Sequence, residues 1–422
     1  MPQERPKVVI AGAGFGGLEA AKALRTAAAD VIVIDKQNHH CFQPLLYQVA
    51  TAALSPADVA WPIRSILRKQ RNATVLMAEI RGVDMAKRIV HTDSISVPYD
   101  FLVLATGATH SYFGHDEWAE VAPGLKRIED ATRIRRRILI AFERAELTAD
   151  ETERRRLLTF VIVGAGATGV EMAGAITEVA RQTLAMDFRR IDPKASRIVL
   201  IEAGPRLIPA LPANLSDYVQ RTLAQKGVEV MTSTRVVGCD ARGVELEHGR
   251  IDAATIIWAA GVVASPAARW LDAEHDRAGR VKVNPDLSVS GHPEIFAIGD
   301  TAAAMDLAGR ATPGIAPAAK QMGRYVGRLI AARIAGASAP PPFRYRHQGD
   351  LAAIGRRAAV VKLGRLELKG FPGWLFWSVV HIFFLIEIRD RFIVAFTWLW
   401  DYVTFQRGAR LITQVPPEDK NP

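Results

Sequence analysis

The chain has 422 residues, of which 49% are hydrophobic and 23% are charged, and this composition is typical of a folded globular protein rather than a disordered one. Its length allows two or three domains and a core large enough to enclose a cofactor. The formal net charge of +10 indicates attraction to an anionic partner. The two cysteines, Cys41 and Cys239, form no CxxC pair, so the sequence offers no disulfide framework and no local redox dithiol.

A strand, a glycine turn and a helix are predicted at the start of the chain. Residues 7–24 read KVVIAGAGFGGLEAAKAL, in which an apolar run precedes Gly12, Gly14 and Gly17 and a helical pattern follows. The three glycines follow a predicted strand and precede a predicted helix, which is the arrangement that the dinucleotide-binding fingerprint requires. The first glycine permits a tight turn, the second lets the backbone approach a pyrophosphate, and the third packs the helix on the strand. Asp35 ends the next predicted strand, where a carboxylate would bind ribose hydroxyls.

The same pattern is repeated in residues 157–176, which read LLTFVIVGAGATGVEMAGAI. Here Gly164, Gly166 and Gly169 form the turn, and a second dinucleotide site is predicted. Glu202 ends the following strand pattern, RIVLIEAG, and is the candidate ribose ligand. Its distance along the chain from Gly169 exceeds the usual spacing of about 20 residues, which predicts a lengthened helix and loop between them.

Two further strand patterns end in polar residues, YDFLVLATGA at Thr106 and Gly107 and PEIFAIGD at Asp300. Because Asp300 lies far downstream of the second glycine motif, we predict that the first domain resumes after an inserted second domain. The predicted boundaries are residues 1–120 and 290–335 for the first domain and residues 121–289 for the second. The segment AGASAPPP then leads into a C-terminal region, residues 343–422.

The C-terminal region contains an unusually apolar and aromatic stretch. Residues 374–400 read WLFWSVVHIFFLIEIRDRFIVAFTWLW, and the charges of EIRDR interrupt the run before it reaches the roughly 20 residues that a membrane span needs. Two short helices lying in the membrane interface would place their tryptophans at headgroup depth and their basic residues against anionic lipid. The alternative is an apolar dimer interface, and the two could coexist.

These features together resemble the type II NADH:quinone oxidoreductases, flavoproteins similar in plan to glutathione reductase. The resemblance runs nearly end to end. Its most specific parts are NHHCFQPLLYQVATAALSPADVAWPIR (38–64), GAGATGVEMAG (164–174), FAIGD (296–300), APAAKQMGRYVG (316–327) and the aromatic C-terminus. It implies an α/β fold with two Rossmann-like dinucleotide-binding domains and a C-terminal helical region that associates with a membrane and forms a dimer.

The resemblance also implies FAD on the first domain and NADH on the second. The residues expected to bind FAD are Gly12, Gly14, Phe15, Gly16, Gly17, Asp35, Lys36, Thr106, Gly107, Asp300 and Ala316. Those expected to bind NADH are Gly164, Gly166, Gly169, Glu202 and Gly261. A carboxylate at Glu202 favours NADH over NADPH, because it would repel a 2′-phosphate, although Arg206 could soften that repulsion.

Two residues are expected to act in catalysis. The resemblance implies that Glu171 lies near the flavin, between nicotinamide and quinone, whereas from the residues alone it could simply stabilise a helix N-terminus. Gln321 closes APAAKQ, which matches the family pattern AQxxxQ except that Pro317 replaces the first glutamine. Gln321 is therefore the candidate polar contact to a quinone carbonyl, with Lys320 as the alternative.

The implied function is hydride transfer from NADH to FAD and electron transfer to a membrane quinone, ubiquinone or menaquinone, without proton pumping. The protein is expected to be a homodimer on the cytoplasmic side of the inner membrane, with no metal ion and no nucleic-acid partner. The isolated cysteines disfavour the disulfide reductases and the sulfide:quinone oxidoreductases. Two alternatives remain open, a soluble NAD(P)H diaphorase and a flavoprotein of apoptosis-inducing-factor type in which NADH switches an interaction.

Overall fold

The structure is a computed structural model that describes residues 5–306, 309–386, 388–404 and 408–412. Glu387, the first charge that interrupts the C-terminal apolar run, lies outside the described residues, as does the end of the predicted region 343–422. The chain forms two compact units. Unit 1 comprises Met1–Cys41, Ala60–Thr109 and Val262–Gln348, and unit 2 comprises Phe42–Val59, His110–Gly261 and Gly349–Pro422.

The strands, in chain order, are β1 (Lys7–Ala11), β2 (Asp30–Asp35), β3 (His39–Cys41), β4 (Ala60–Pro62), β5 (Ala73–Met77), β6 (Ile80–Asp84), β7 (Ile89–Thr92), β8 (Ser96–Pro98), β9 (Phe101–Leu104), β10 (Ala108–His110), β11 (Thr159–Val163), β12 (Arg197–Ile201), β13 (Val228–Met231), β14 (Val236–Asp240), β15 (Gly243–Leu246), β16 (Gly249–Asp252), β17 (Thr255–Trp258), β18 (Val262–Ala264), β19 (Val281–Lys282), β20 (Ser288–Val289), β21 (His292–Ala297), β22 (Ala302–Ala303), β23 (Asp350–Gly355), β24 (Ala358–Leu363) and β25 (Leu366–Lys369).

The α-helices are α1 (Phe15–Ala23), α2 (Leu46–Ala50), α3 (Pro56–Val59), α4 (Ile63–Leu67), α5 (Ile128–Leu147), α6 (Glu151–Leu157), α7 (Ala167–Glu178), α8 (Ala213–Gln225), α9 (Ala267–Trp270), α10 (Ala316–Ile334), α11 (Gly370–Phe384) and α12 (Ile388–Thr404). Short 3-10 or π turns, among them the π turn Val179–Thr183 directly after α7, fill several of the connections.

Unit 1 is built on a six-stranded sheet in the order β20-β21-β9-β1-β2-β5. β1, in the middle of this sheet, pairs in parallel with a strand on each side, and its Ile10 lies opposite Val33 of β2 and Val103 of β9. These strands read as continuous apolar runs because both faces of a parallel sheet are covered. On one face α1 packs against α10, where a Cβ added to Gly323 would lie 2.0 Å from the Gly16 carbonyl oxygen.

Unit 2 contains a second parallel sheet, in the order β13-β12-β11-β17. Val163 at the end of β11 lies opposite Ile201 of β12 and Trp258 of β17, so the three strands end at the same edge. The predicted fold class, two Rossmann-like dinucleotide-binding units, is therefore confirmed. The unit divisions follow Thr109 and Gly261, and residues 42–59 join unit 2 because α2 packs on α5 and α7, a placement that the sequence did not indicate.

Residues 350–369 form an antiparallel sheet, β23-β24-β25, ahead of the two predicted C-terminal helices. α7 packs on β23, and α11 packs on β24. Gly174 allows α7 to lie this close to β23, since a Cβ on Gly174 would be 2.0 Å from the Ile354 carbonyl oxygen. No helix within the described residues is long and apolar enough to cross a bilayer.

Candidate active site

The first glycine motif forms an open cradle at the start of α1. Gly12 has a positive φ of 101° and donates its amide hydrogen to the Ile34 carbonyl oxygen at 2.7 Å, which turns the chain sharply after β1. A Cβ on Gly17 would lie 1.8 Å from the Gly12 oxygen, so only glycine lets the helix approach the strand here. By contrast, a Cβ on Gly14 would meet no atom within 4 Å. The free space therefore lies at the helix N-terminus, where phosphate binding is favourable.

The second motif repeats this geometry in unit 2. Gly164 has a φ of 97° and donates to the Ile201 carbonyl oxygen at 2.7 Å, and a Cβ on Gly169 would lie 1.8 Å from the Gly164 oxygen. Gly166 directly precedes α7, a Cβ built on it would meet no atom within 4 Å, and the next two residues are exposed. Each unit thus presents its own cradle for a pyrophosphate at a helix N-terminus.

The acidic residues of the two motifs also occupy equivalent places. Asp35 accepts the Ala13 amide at 2.7 Å through Oδ2, and Glu202 accepts the Ala165 amide at 2.7 Å through Oε2. Burial raises the pKa of Asp35 from its usual value. Although Glu202 is far from Gly169 in sequence, β12 is the direct neighbour of β11, and α7, the π turn and a short 3-10 turn occupy the intervening residues.

The other residues expected to bind FAD lie in unit 1. Gly107, with a φ of 70°, donates its amide hydrogen to Thr301 Oγ1 at 2.9 Å, and Thr106 Oγ1 is 2.5 Å from Ser265 Oγ. Asp300 lies in a 3-10 turn after β21, close enough to Gly314 that a Cβ there would be 3.1 Å from Asp300 Oδ1.

Four more of the expected FAD ligands are distributed around α1, β2 and α10. Phe15 begins α1, and its ring centroid is 5.2 Å from the Lys320 ammonium nitrogen. Gly16 lies against Gly323 of α10, and Ala316 begins α10. Lys36 follows β2 with its ammonium nitrogen 3.8 Å from Glu79 Oε1, an exposed ion pair.

Glu171 lies just past the first turn of α7, which contains no acidic residue, so it does not stabilise the helix N-terminus. Its Oε1 instead accepts the Ala353 amide hydrogen from β23 at 3.3 Å. Burial raises the pKa of Glu171 to about 8, and the Ala353 hydrogen bond opposes this rise only in part. The carboxyl group is therefore mostly protonated at neutral pH.

Glu171 lines a pocket of about 780 Å³, including its open mouth, between α7, α2 and the C-terminal helices of unit 2. Trp377 of α11 and Trp398 of α12 stack in the wall with ring centroids 5.4 Å apart. Trp398 Nε1 donates to Gln48 Oε1 of α2 at 2.7 Å, and this bond joins the second C-terminal helix to the rest of the pocket. The pocket combines a protonated carboxylic acid with broad aromatic walls.

Comparison with known proteins identifies the family. Residues 6–323 match the family described as pyridine nucleotide-disulphide oxidoreductase, and residues 347–406 match the NDH2 C-terminal domain. A type II NADH:quinone oxidoreductase of Mycobacterium tuberculosis is 43% identical over 427 residues, covering 98% of this chain and 91% of the relative. The chain belongs to the type II NADH:quinone oxidoreductases.

Other members of this family also match over most of their length and most of the length of this chain. The type II NADH:quinone oxidoreductase of Staphylococcus haemolyticus is 30% identical, covering 85% of this chain and 90% of the relative. The structure of NDH2 from Plasmodium falciparum in complex with NADH has the same fold, with a TM-score of 0.86 at 21% identity, covering 97% of this chain and all of that one. Membership confirms the predicted cofactors, FAD and NADH, as those used by a pyridine-nucleotide flavoprotein family.

The cysteines of this type II NADH:quinone oxidoreductase form no disulfide, although the wider family name includes disulphide oxidoreductases. Burial raises the pKa of the Cys239 thiol to about 12, with a smaller contribution from Asp240, so it remains a thiol at neutral pH. The expectation that the chain does not act through a dithiol therefore stays a prediction with physical support.

Gln321 occupies a more constrained place than the sequence indicated. Its Nε2 donates to the Arg346 carbonyl oxygen, and its Oε1 accepts the Arg346 amide, both at 2.9 Å within unit 1. Any contact to a quinone would use the remaining hydrogen of the amide. Pro317 lies in the first turn of α10, where a backbone N–H has no acceptor within the helix. The departure from the family pattern therefore leaves the helix intact.

Sequence reasoning missed one buried histidine beside the first cradle. His40 Nδ1 lies 2.9 Å from the Ala13 carbonyl oxygen, and its ring meets Phe15 edge-on at 4.9 Å between centroids. Burial lowers the pKa of His40 to about 4, so the neutral ring donates Nδ1–H to the glycine loop. From its place in β3, His40 thus fixes the loop that follows β1.

Proposed function

We propose that this chain oxidises NADH with bound FAD and passes two electrons to a membrane quinone, without proton pumping. The observation that carries the proposal is the pocket of Glu171, whose walls are tryptophans of α11 and α12. The outward side chains of those same helices are apolar and exposed. A lipid-soluble acceptor could thus reach the pocket from a membrane surface.

The residues present fit both cofactors. The cradle at Gly14 would hold the pyrophosphate of FAD, with Asp35 at a ribose, and the cradle at Gly166 would hold that of NADH, with Glu202 at a ribose. FAD supplies the ability to accept a hydride and release two electrons to a quinone. Arg206 is half-buried and donates to the Pro209 carbonyl oxygen at 2.9 Å, so its guanidinium is already engaged by a backbone acceptor, and we expect NADH to be preferred over NADPH.

Glu171 is proposed to supply a proton to the reduced quinone. Reduction of a quinone to a quinol consumes two protons, and a carboxylic acid with a pKa of about 8 holds its proton at neutral pH yet can release it to a stronger base. Gln321 is proposed to contact a quinone carbonyl through the amide hydrogen that it does not donate to the Arg346 carbonyl oxygen.

The outer faces of α11 and α12 are proposed to dock on the membrane. On α11, Phe371, Leu375, Val379 and Phe383 recur every fourth residue, so they lie along one face of the helix, and all are exposed. On α12, Phe392 and Phe396 follow the same spacing and are also exposed. An apolar face beside basic residues is typical of helices that lie in the interface. The cytoplasmic side of the inner membrane and a homodimer complete the proposal.

Membrane docking can be tested with anionic liposomes and the FAD-loaded protein. Phe392→Ser combined with Phe396→Ser removes two side chains that are 73% and 65% exposed, so the fold should persist while liposome co-sedimentation falls severalfold. Met186→Ser is the control, because Met186 is 80% exposed but belongs to neither α11 nor α12. Unchanged sedimentation of the double variant would refute docking through α12.

The proton role can be tested by changing the acceptor. Ferricyanide accepts electrons without protons, whereas a quinone requires both. Glu171→Gln should therefore slow quinone reduction by about 10²-fold or more, within the range for a general acid, and leave ferricyanide reduction near the wild-type rate. Equal loss with both acceptors would assign Glu171 to an earlier step, and no loss with either would remove it from the mechanism.

A further inference from the structure

Phe113 is a surface aromatic residue in an unusual backbone conformation. Its φ is +54°, in the left-handed region that residues with a bulky side chain rarely adopt, and 68% of the residue is exposed. Its ring contacts that of Trp258, with centroids 6.4 Å apart, yet most of the residue remains open to solvent. A conformation of this kind, maintained at a site that binds a ligand, is a reason to look for function.

The loop around Phe113 is held rigidly by the end of the parallel sheet. Ser111 donates its amide hydrogen to the Gly261 carbonyl oxygen at 3.1 Å and accepts the Trp258 indole hydrogen at 2.8 Å. Tyr112 is buried, stacks on Trp258 with centroids 5.2 Å apart, and donates its hydroxyl to the Ala122 carbonyl oxygen. Tyr112 thus points inward, and the exposed ring of His115 stacks on Trp118 with centroids 4.2 Å apart, whereas the ring of Phe113 stays largely exposed.

Phe113 lies at the nucleotide-binding edge of unit 2. The ring lies against Gly261, where a Cβ would be 2.9 Å from Phe113 Cζ. Gly261 follows β17, which neighbours β11, and a Cβ on Gly164 would lie 2.5 Å from the backbone of Ala260. The backbone after β17 is therefore in contact with the cradle of the second glycine motif.

The order of the strands indicates which half of the nucleotide faces Phe113. Glu202 ends β12, on one side of β11, and would bind the ribose of the adenosine half, while the pyrophosphate would lie at the start of α7. The remaining half of the dinucleotide must then extend to the other side of β11, toward β17. Phe113 stands on that side.

We propose that the ring of Phe113 contacts the nicotinamide riboside half of bound NADH and positions it. This inference rests on the proposed function, in which unit 2 binds NADH. An aromatic ring that is already fixed loses little freedom when a flat, heterocyclic ligand packs against it, so it improves binding mainly by being preorganised. The strained φ is then the consequence of directing the ring outward at this position.

The test is the binding of NAD⁺ to the FAD-loaded protein by calorimetry, which does not depend on turnover. Phe113→Ala and Phe113→Gly should raise the dissociation constant of NAD⁺ about tenfold, equal to about 1.4 kcal/mol. Phe113→Tyr keeps the ring and should remain within about twofold of the wild type. The glycine variant should also unfold at the same or a higher temperature, because glycine adopts positive φ freely, whereas loss of a packing residue would lower that temperature.

Arg88→Gly is the matched control. Arg88 is exposed and has the same φ of +54°, but it lies in a turn of unit 1 between β6 and β7, so this change should leave NAD⁺ binding unaltered. Wild-type affinity in Phe113→Ala, or a loss in Phe113→Tyr as large as that in Phe113→Ala, would overturn the inference while the proposed function stood. Failure of the wild-type protein to bind NAD⁺ would overturn the proposed function, and the inference with it.

Discussion

Replacing Glu171 with glutamine should change the stability of the protein in a manner that depends on pH. The glutamine keeps a carbonyl oxygen that can accept the Ala353 amide hydrogen, but it cannot ionise. Burial raises the pKa of Glu171 from 4.5 to about 8. Below about pH 4.5 the wild-type carboxyl is neutral in both the folded and the unfolded chain, so the two proteins should be equally stable there.

The difference in stability between the two proteins should grow as pH rises from 4.5 to about 8. Over this window the folded protein binds a proton that the unfolded chain has lost, so wild-type stability falls as pH rises. One pK unit corresponds to about 1.4 kcal/mol, so the full cost of ionising Glu171 in place reaches, as an upper limit, on the order of 5 kcal/mol above pH 8. Even if relaxation of the pocket recovers most of this cost, about 1 to 2 kcal/mol should remain. At about 2.1 cal/mol/K per residue, unfolding of 422 residues has an entropy of about 0.9 kcal/mol/K, so the variant should unfold about 1 to 2 °C higher.

The assay is thermal unfolding of FAD-loaded wild type and Glu171→Gln at pH 5, 7 and 9. We expect similar unfolding temperatures at pH 5 and a gap of about 1 to 2 °C at pH 9, with the variant more stable. Parallel temperature–pH curves for the two proteins would refute the raised pKa, and with it the argument that Glu171 holds a proton for the quinone.

Three further substitutions test the FAD cradle, the NADH cradle and the hydrogen bond that holds α12 to α2, each on its own. Gly17→Ala places a Cβ 1.8 Å from the Gly12 oxygen and should yield protein without flavin, measured by its visible absorbance, whereas flavin retained at the wild-type level would contradict the assigned cradle. Gly166→Ala has room for the Cβ within the protein, so it should fold and keep its flavin but show a raised KM for NADH, and an unchanged KM would argue against a pyrophosphate there. Gln48→Ala removes the acceptor of the Trp398 indole hydrogen, and the loss of this hydrogen bond should cost about 1 kcal/mol. Local opening of α12 should then be more frequent, so proteolysis within α12 should be faster. Gln182→Ala, in the same pocket, should leave the rate of proteolysis unchanged.

The parts of the structure that the sequence predicted well are those specified locally. The two glycine motifs each determine a turn, a helix start and a close helix–strand contact within a few residues, and the structure repeats the same hydrogen bonds and close approaches in both. The ends of the apolar strands likewise predicted the positions of Asp35 and Glu202, because parallel strands end at a common edge.

The parts that the sequence did not predict depend on contacts between distant residues. Gln48 and Trp398 bond to each other across most of the chain, and no local pattern in a single sequence pairs them. The sheet β23-β25 was predicted only as part of a helical C-terminal region, although AAVVKLGRLELK does contain a strand, a Gly-Arg turn and a second strand. The role of His40 could not be predicted, because its partner, the Ala13 carbonyl oxygen, is identified only once β1 and β3 are placed.

The central claim, electron transfer from NADH to a membrane quinone, is tested most directly by anaerobic stopped-flow absorbance. The FAD-loaded protein is bleached with one equivalent of NADH and then mixed with a ubiquinone analogue in liposomes. The account predicts rapid bleaching followed by rapid return of the oxidised flavin spectrum, with the return slowed in Glu171→Gln. Bleaching that persists after quinone is added would contradict the account, since the protein would then accept electrons from NADH but have a different acceptor.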